Sequence, residues 1–244
     1  VPDAKLDGEP GNPNSAVYDI VEVLSPTKVR IHPPAKADGD AGYSIGRRCY
    51  GKFSVSNCDF FLLDTRSHRN LHNVDKPANP KATMLGKQQL KWLKDSISES
   101  KADFIFIVSS VNFMVPHVGS GGGDDKQLTI KKDDAWTVFL KEREELIDFW
   151  DKLDKGVFVL TGDLHNSFAI KITDNVYEFA SGPHNSINHA PMKDEGGRPA
   201  NGRFKYGPRA CDIRWSSYAM ADIPRANRTF PHYCVVQVNN VFNN

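Results

Sequence analysis

Three short runs of unbroken apolar residues constrain this chain most: FFLL (60–63), FIFIV (104–108) and VFVL (157–160). A strand wet on one face alternates apolar and polar residues, whereas a strand covered on both faces does not. Between the runs lie two stretches with a helical period. In MLGKQQLKWLKDSISE (84–99), Leu85, Trp92, Leu93 and Ile97 recur on one stripe. In DDAWTVFLKEREELIDFWDKL (133–153), Trp136, Phe139, Leu140, Ile147 and Trp150 do the same, with Asp133 or Asp134 placed as N-cap. Strand, helix, strand, helix, strand is the rhythm of an α/β sheet with parallel neighbours.

The texture changes on either side. YDIVEVL (18–24) and KVRIH (28–32) read as short early strands, and residues 1–16 as a loop or frayed end rich in Pro, Gly, Asn and Asp. Downstream, SFAIKIT (167–173), NVYEFAS (175–181) and YCVVQV (233–238) read as strands of an antiparallel extension. Residues 183–232 form a long irregular segment of the kind that often carries function. The glycine-rich GSGGGDDK (119–126) lacks the Gly-Lys-Ser/Thr ending of a phosphate-cradling loop and reads as a plain loop.

Bulk properties exclude some classes. A formal net charge of +1 without a basic stripe gives no nucleic-acid signature. No apolar run approaches the roughly 20 residues of a membrane-spanning helix. Cys49, Cys58, Cys211 and Cys234 have no CxxC spacing, which disfavours a zinc ribbon and leaves two disulfides or free thiols.

Ligand sites of open α/β sheets gather beyond the carboxyl ends of the strands, and three strand ends carry polar groups here. Asp64, Arg66 and Arg69 follow the first run, Ser109, Ser110 and Asn112 the second, and Asp163, His165 and Asn166 the third. If the strands are neighbours, carboxylate, imidazole, guanidinium and amide groups share one rim, a set suited to an anionic, oxygen-rich substrate beside a metal. Each has a plainer reading: Asp163 as a turn residue, His165 as solvated, Asp64–Arg66 as a structural ion pair, Asn112 as a backbone-bonding turn residue. His184 and His189 sit in a further polar loop, SGPHNSINHA (181–190).

Taken as a set, FFLLDTRSHR, MLGKQQLKWLKDSI, DDAWTVFLKEREELIDF, VFVLTGDLHNSFA and YEFASGP resemble, in order and rough spacing, the carboxyl-terminal part of the PhoD-like alkaline phosphatases, a branch of the metallophosphoesterases. The resemblance covers about residues 45–185. It implies a layered α/β sandwich of two packed mixed sheets flanked by helices, of which residues 45–244 form the carboxyl-terminal half, with residues 1–44 an irregular segment or linker. It also implies hydrolysis of a phosphomonoester or phosphodiester, with iron and calcium, or else zinc or manganese, as cofactors. Asp163 and His165 would be metal-site residues. Arg66, His165 and Asn166 would be catalytic, and Arg66, Asn112 and His184 would contact substrate. Of the family's amino-terminal metal-ligand motifs, GD-x-x-Y and DDHE, the second is not found here, and Gly39-Asp40-Ala41-Gly42-Tyr43 spells the first only within a loop-like stretch and is not taken as a substitute, so the expected partner is a complementary amino-terminal half or second chain. The alternative is a non-catalytic structural or binding module of the same fold. An extracellular or periplasmic location accompanies the first reading.

Overall fold

In the computed structural model, residues 13–14, 18–40, 43, 45, 49–70, 72–117, 132–218 and 222–239 are described. Strands β1 (Asp19–Ser25) and β2 (Lys28–His32) pair as an antiparallel hairpin, in line with the strand reading of YDIVEVL and KVRIH. The remaining strands among the described residues form one mixed sheet. Its strands are β3 (Gly51–Val55), β4 (Cys58–Leu62), β5 (Phe104–Val108), β6 (Gly156–Thr161), β7 (Phe168–Lys171), β8 (Val176–Ala180), β9 (Gly202–Tyr206) and β10 (Arg209–Ser216). The eight lie in the order β3-β4-β5-β6-β8-β7-β10-β9. The α/β class follows the expectation, with β4, β5, β6 and β8 running parallel and the flanking pairs antiparallel.

Helix α1 (Gly86–Glu99) joins β4 to β5, and helix α2 (Leu140–Trp150) lies between β5 and β6. Two crossovers stepping the same way along a sheet, both right-handed, put their helices on the same face. Accordingly Leu93 and Ile97 of α1 and Leu146, Ile147 and Trp150 of α2 share one core with Phe61, Ile105, Ile107, Val157, Val159 and Ile170. Each large side chain fully buried there contributes about 1.5–3 kcal/mol.

The opposite face is apolar too, yet neither α1 nor α2 covers it. Register places Phe53 beside Phe60, Phe60 beside Phe106, and Phe106 beside Phe158. Their rings stack at centroid distances of 4.7, 4.7 and 5.3 Å. Tyr177 and Phe179 extend the row, 6.1 and 6.4 Å from Phe158. Phe53 is 48% exposed, Val55 57% and Leu62 39%.

Two expected elements differ. Helix α2 begins at Leu140 rather than near Asp133, after a 3-10 turn at Trp136–Val138. Phe139, at φ −117° and ψ 47°, interrupts the helical path, and the aspartates are engaged elsewhere: Asp134 with Arg66 and Asp133 with Arg69. YCVVQV forms no strand, and its Tyr233 and Val235 are 82% and 77% exposed, having no strand to pair with among the described residues. GSGGGDDK lies outside the described residues.

A candidate metal and phosphate rim

Because β4, β5 and β6 are adjacent and parallel, the three polar strand ends converge as expected. The β4 end is fixed by Gln89 of α1. Its Oε1 accepts the Asp64 N–H at 2.8 Å, and its Nε2 donates to the Asp64 carbonyl at 2.9 Å. The Asp64 carboxylate folds back to accept the backbone N–H groups of Arg66 and Ser67, at 2.9 and 2.8 Å. Burial pushes its pKa up, but these bonds outweigh burial and hold it below the ordinary carboxylate range. Asp64 is thus a turn-forming residue. The Arg66 guanidinium instead meets Asp134 at 2.7 Å, with half its side chain exposed.

At the β5 end, Ser109 N–H bonds the Leu160 carbonyl at 2.9 Å, tying the second rim loop to the third strand. Asn112 is fully buried and its Nδ2 donates to the Val115 carbonyl, as its turn-residue reading requires. Its Oδ1 is buried with no hydrogen-bond partner among the described residues. The loop is anchored from below by buried Glu178 of β8, which accepts the N–H groups of Phe113 and Met114 at 2.7 and 3.0 Å. Burial pushes the Glu178 carboxyl up.

At the β6 end, the Leu164 N–H reaches back to the Gly162 carbonyl at 2.8 Å, and Asp163 between them has φ +67°. This is the left-handed region, and a non-glycine residue held there costs on the order of 1–3 kcal/mol, a strain found mostly at functional sites. The turn is backed by Gly182, where a Cβ would stand 2.6 Å from the Leu164 carbonyl oxygen, so only glycine fits against it.

Histidines surround that turn. His117 Nδ1 lies 3.3 Å from Asp163 Oδ2, and this hydrogen bond, opposed by burial and helped by the charges of Lys132 and Arg66, lowers the Asp163 pKa. His165 Nδ1 lies 2.6 Å from the Ile187 carbonyl. A carbonyl only accepts, so Nδ1 carries the proton and Nε2 is left as the electron-pair donor. Burial, then the neighbouring His189, lowers the His165 pKa and favours this neutral form. The His189 ring stacks on His165 at 4.4 Å and 10°.

Asn166, expected to be catalytic, is fully buried, and its Nδ2 donates to Glu195 Oε1 at 2.9 Å while its Oδ1 accepts from Asn188 at 3.3 Å. Its amide is therefore committed to holding the loop and is not open to a substrate. His184 is exposed on the 183–190 loop. Sequence reasoning missed His117, whose only signal was an imidazole a few residues beyond the second strand end.

A carboxylate oxygen and an unprotonated imidazole nitrogen are donors for a hard or borderline cation. The Asp163 carboxylate, the His165 Nε2 and the unpartnered Asn112 oxygen are each of a type that such a cation takes. Among the described residues no three His, Cys, Asp or Glu side chains are grouped to hold an ion by themselves.

A family model of the PhoD-like phosphatase matches residues 31–209. Alkaline phosphatase D of Bacillus subtilis (strain 168) is 31% identical over 130 residues, a match covering 49% of this chain and 21% of that protein. A solved structure of PhoD aligns with 68% of this chain and 41% of its own, at 24% identity and a TM-score of 0.48. The match thus spans about a fifth of the length of the first relative and about two fifths of the second. With the family model running through all three strand ends and most of the sequence, the chain belongs to the PhoD-like phosphatases.

Proposed function

We propose that this chain supplies one side of a metal-dependent phosphoester hydrolase site, acting on phosphomonoesters or phosphodiesters. The observation that carries the reading is the strained turn at Asp163, set among His117 and His165 with the Arg66 charge acting across the rim. Asp163 and His165 would hold the metal, which when bound polarises a phosphoryl oxygen and lowers the pKa of a coordinated water. Iron and calcium are the expected ions, with zinc or manganese as substitutes. His117 orients the Asp163 carboxylate through its N–H. Arg66, half exposed, offers a planar fork matched to phosphoryl oxygens and neutralises charge that develops there. Asn112 supports the rim from within.

Two donors do not make a two-ion site, and the aromatic sheet face, buried at Phe106 but exposed at Phe53, Val55 and Leu62, is suited to a second layer, since sheets with parallel strands are buried on both sides. Both needs are met by the remainder of a PhoD-like phosphatase, packed on the Phe53-Phe60-Phe106-Phe158 row and contributing the missing ligands. The test compares residues 1–244 alone with the natural assembly purified through a tag on this chain. Substrates are p-nitrophenyl phosphate and bis-p-nitrophenyl phosphate, with iron, calcium, manganese or zinc added. Turnover by the assembly and none by the chain alone is expected. An assembly with no turnover under any metal would replace this reading by that of a non-catalytic module.

A further inference from the structure

The segment Ile187–Asn188–His189 closes around His165 from more than twenty residues away, and each of its members touches it. The Ile187 carbonyl takes the ring Nδ1 proton at 2.6 Å. Asn188 Nδ2 and the His189 backbone N–H both reach the His165 carbonyl, at 3.0 and 3.2 Å. The His189 ring covers one face of the His165 ring, nearly parallel to it. Parallel stacked imidazoles direct their in-plane electron pairs side by side, a poor arrangement for sharing one ion, so His189 is placed to orient its neighbour.

What holds the segment is a buried charge cluster. Glu195 is fully buried; its Oε1 accepts from His189 Nδ1 at 3.2 Å and from Asn166 Nδ2 at 2.9 Å, and its Oε2 from Arg198 Nε at 2.6 Å. Arg198, also fully buried, lies over the Phe168 ring at 5.1 Å and donates to Ser216 Oγ at 2.9 Å. The glutamate is therefore fixed by the sheet and in turn fixes both the histidine and the amide beside His165.

We propose that His189, anchored by Glu195, is a positioning residue that locks His165 in the tautomer with Nε2 free. This deepens the reading of His165 as a metal-site residue and rests on it for its purpose, though not for its geometry. Partners of this kind, one step removed from a ligand, are commonly worth a 10–100-fold change in metal affinity.

The experiment is magic-angle-spinning NMR of the full chain with 15N-labelled histidine, which reads ring tautomers whether or not the chain self-associates. It is combined with zinc titration of the same samples. In the unsubstituted chain His165 should show a protonated Nδ1 and a bare Nε2. His189→Ala should give mixed tautomers and about a 10–100-fold weaker zinc affinity, and His189→Phe, which refills the stacked face but cannot bond Glu195, should leave the tautomers mixed as well. Glu195→Gln should resemble His189→Ala if it folds; the two His189 variants, at a partly exposed position, carry the test if it does not. An unchanged His165 tautomer in folded His189→Ala would overturn the proposal. A chain that takes up no zinc, yet loses the tautomer in His189→Ala, would count against the metal reading and support the positioning role.

Discussion

Asp64 and Asp163 both end a strand of the same sheet, and their surroundings give them different work. Asp64 is turned inward onto two backbone N–H groups and has a depressed pKa despite burial. A depressed carboxylate contributes stability above its unfolded value of about 3.9 and loses it as pH falls through the folded value. Asp64→Asn keeps an acceptor oxygen but removes the charge. Its melting temperature should therefore trail the parent near pH 7 and approach it as the pH is lowered through the acid range. A gap constant from pH 7 to pH 3 would show that the charge is not what matters. At Arg66, substitution by Lys keeps charge and loses the two-pronged geometry. The assembly's kcat should drop at least severalfold with a melting temperature within about a degree, because surface ion pairs such as that with Asp134 are worth roughly 0–1 kcal/mol. A large loss of stability at normal turnover would make Arg66 structural. At this scale the sequence was only partly readable. Asp163 and His165 drew notice through the TGDLH strand end, but neither the contact of His117 with Asp163 nor the commitment of the Asn166 amide to Glu195 showed in the sequence. Which way an amide points, and which imidazole comes to lie beside a carboxylate 46 residues away, depends on loop packing that spacing does not encode.

The strands were legible because their apolar runs do not alternate, and the parallel order followed from the intervening helical stretches. The start of α2 was not, since the two aspartates suited to a cap were drawn into tertiary ion pairs with Arg66 and Arg69. The segment 233–238 has strand-forming residues but no neighbour to bond among the described residues, in keeping with β-propensity as a statement about context. The two faces of the central sheet make a quantitative contrast. Ile107 is fully buried against the helices, so Ile107→Ala should cost about 2–5 kcal/mol in urea unfolding. Phe60, in the aromatic row on the other face, is half-buried. Phe60→Ser should cost the isolated chain far less, while reducing self-association in sedimentation velocity and recovery of the assembly. Equal destabilisation by the two substitutions would mean that the aromatic face is already covered.

As a whole, the described residues have one core beneath α1 and α2 and an apolar face that neither of these helices covers, with the polar rim at the strand ends between them. The proposed second layer would bring more donors to the same rim and cover the exposed end of that face at Phe53, Val55 and Leu62. The family was readable from DTR, G-x-x-Q-x-x-W-L and TGDxH. The helix-free face became visible only when strand register aligned Phe53, Phe60, Phe106 and Phe158. The most direct measurement is elemental analysis of the purified assembly carrying either the parent chain, Asp163→Asn or His165→Ala. Stoichiometric metal in the parent and loss of most of it in both variants, with the fold unchanged by circular dichroism, is the expected result. Full metal content in either folded variant would contradict the assignment of Asp163 and His165 as the chain's contribution to the metal centre.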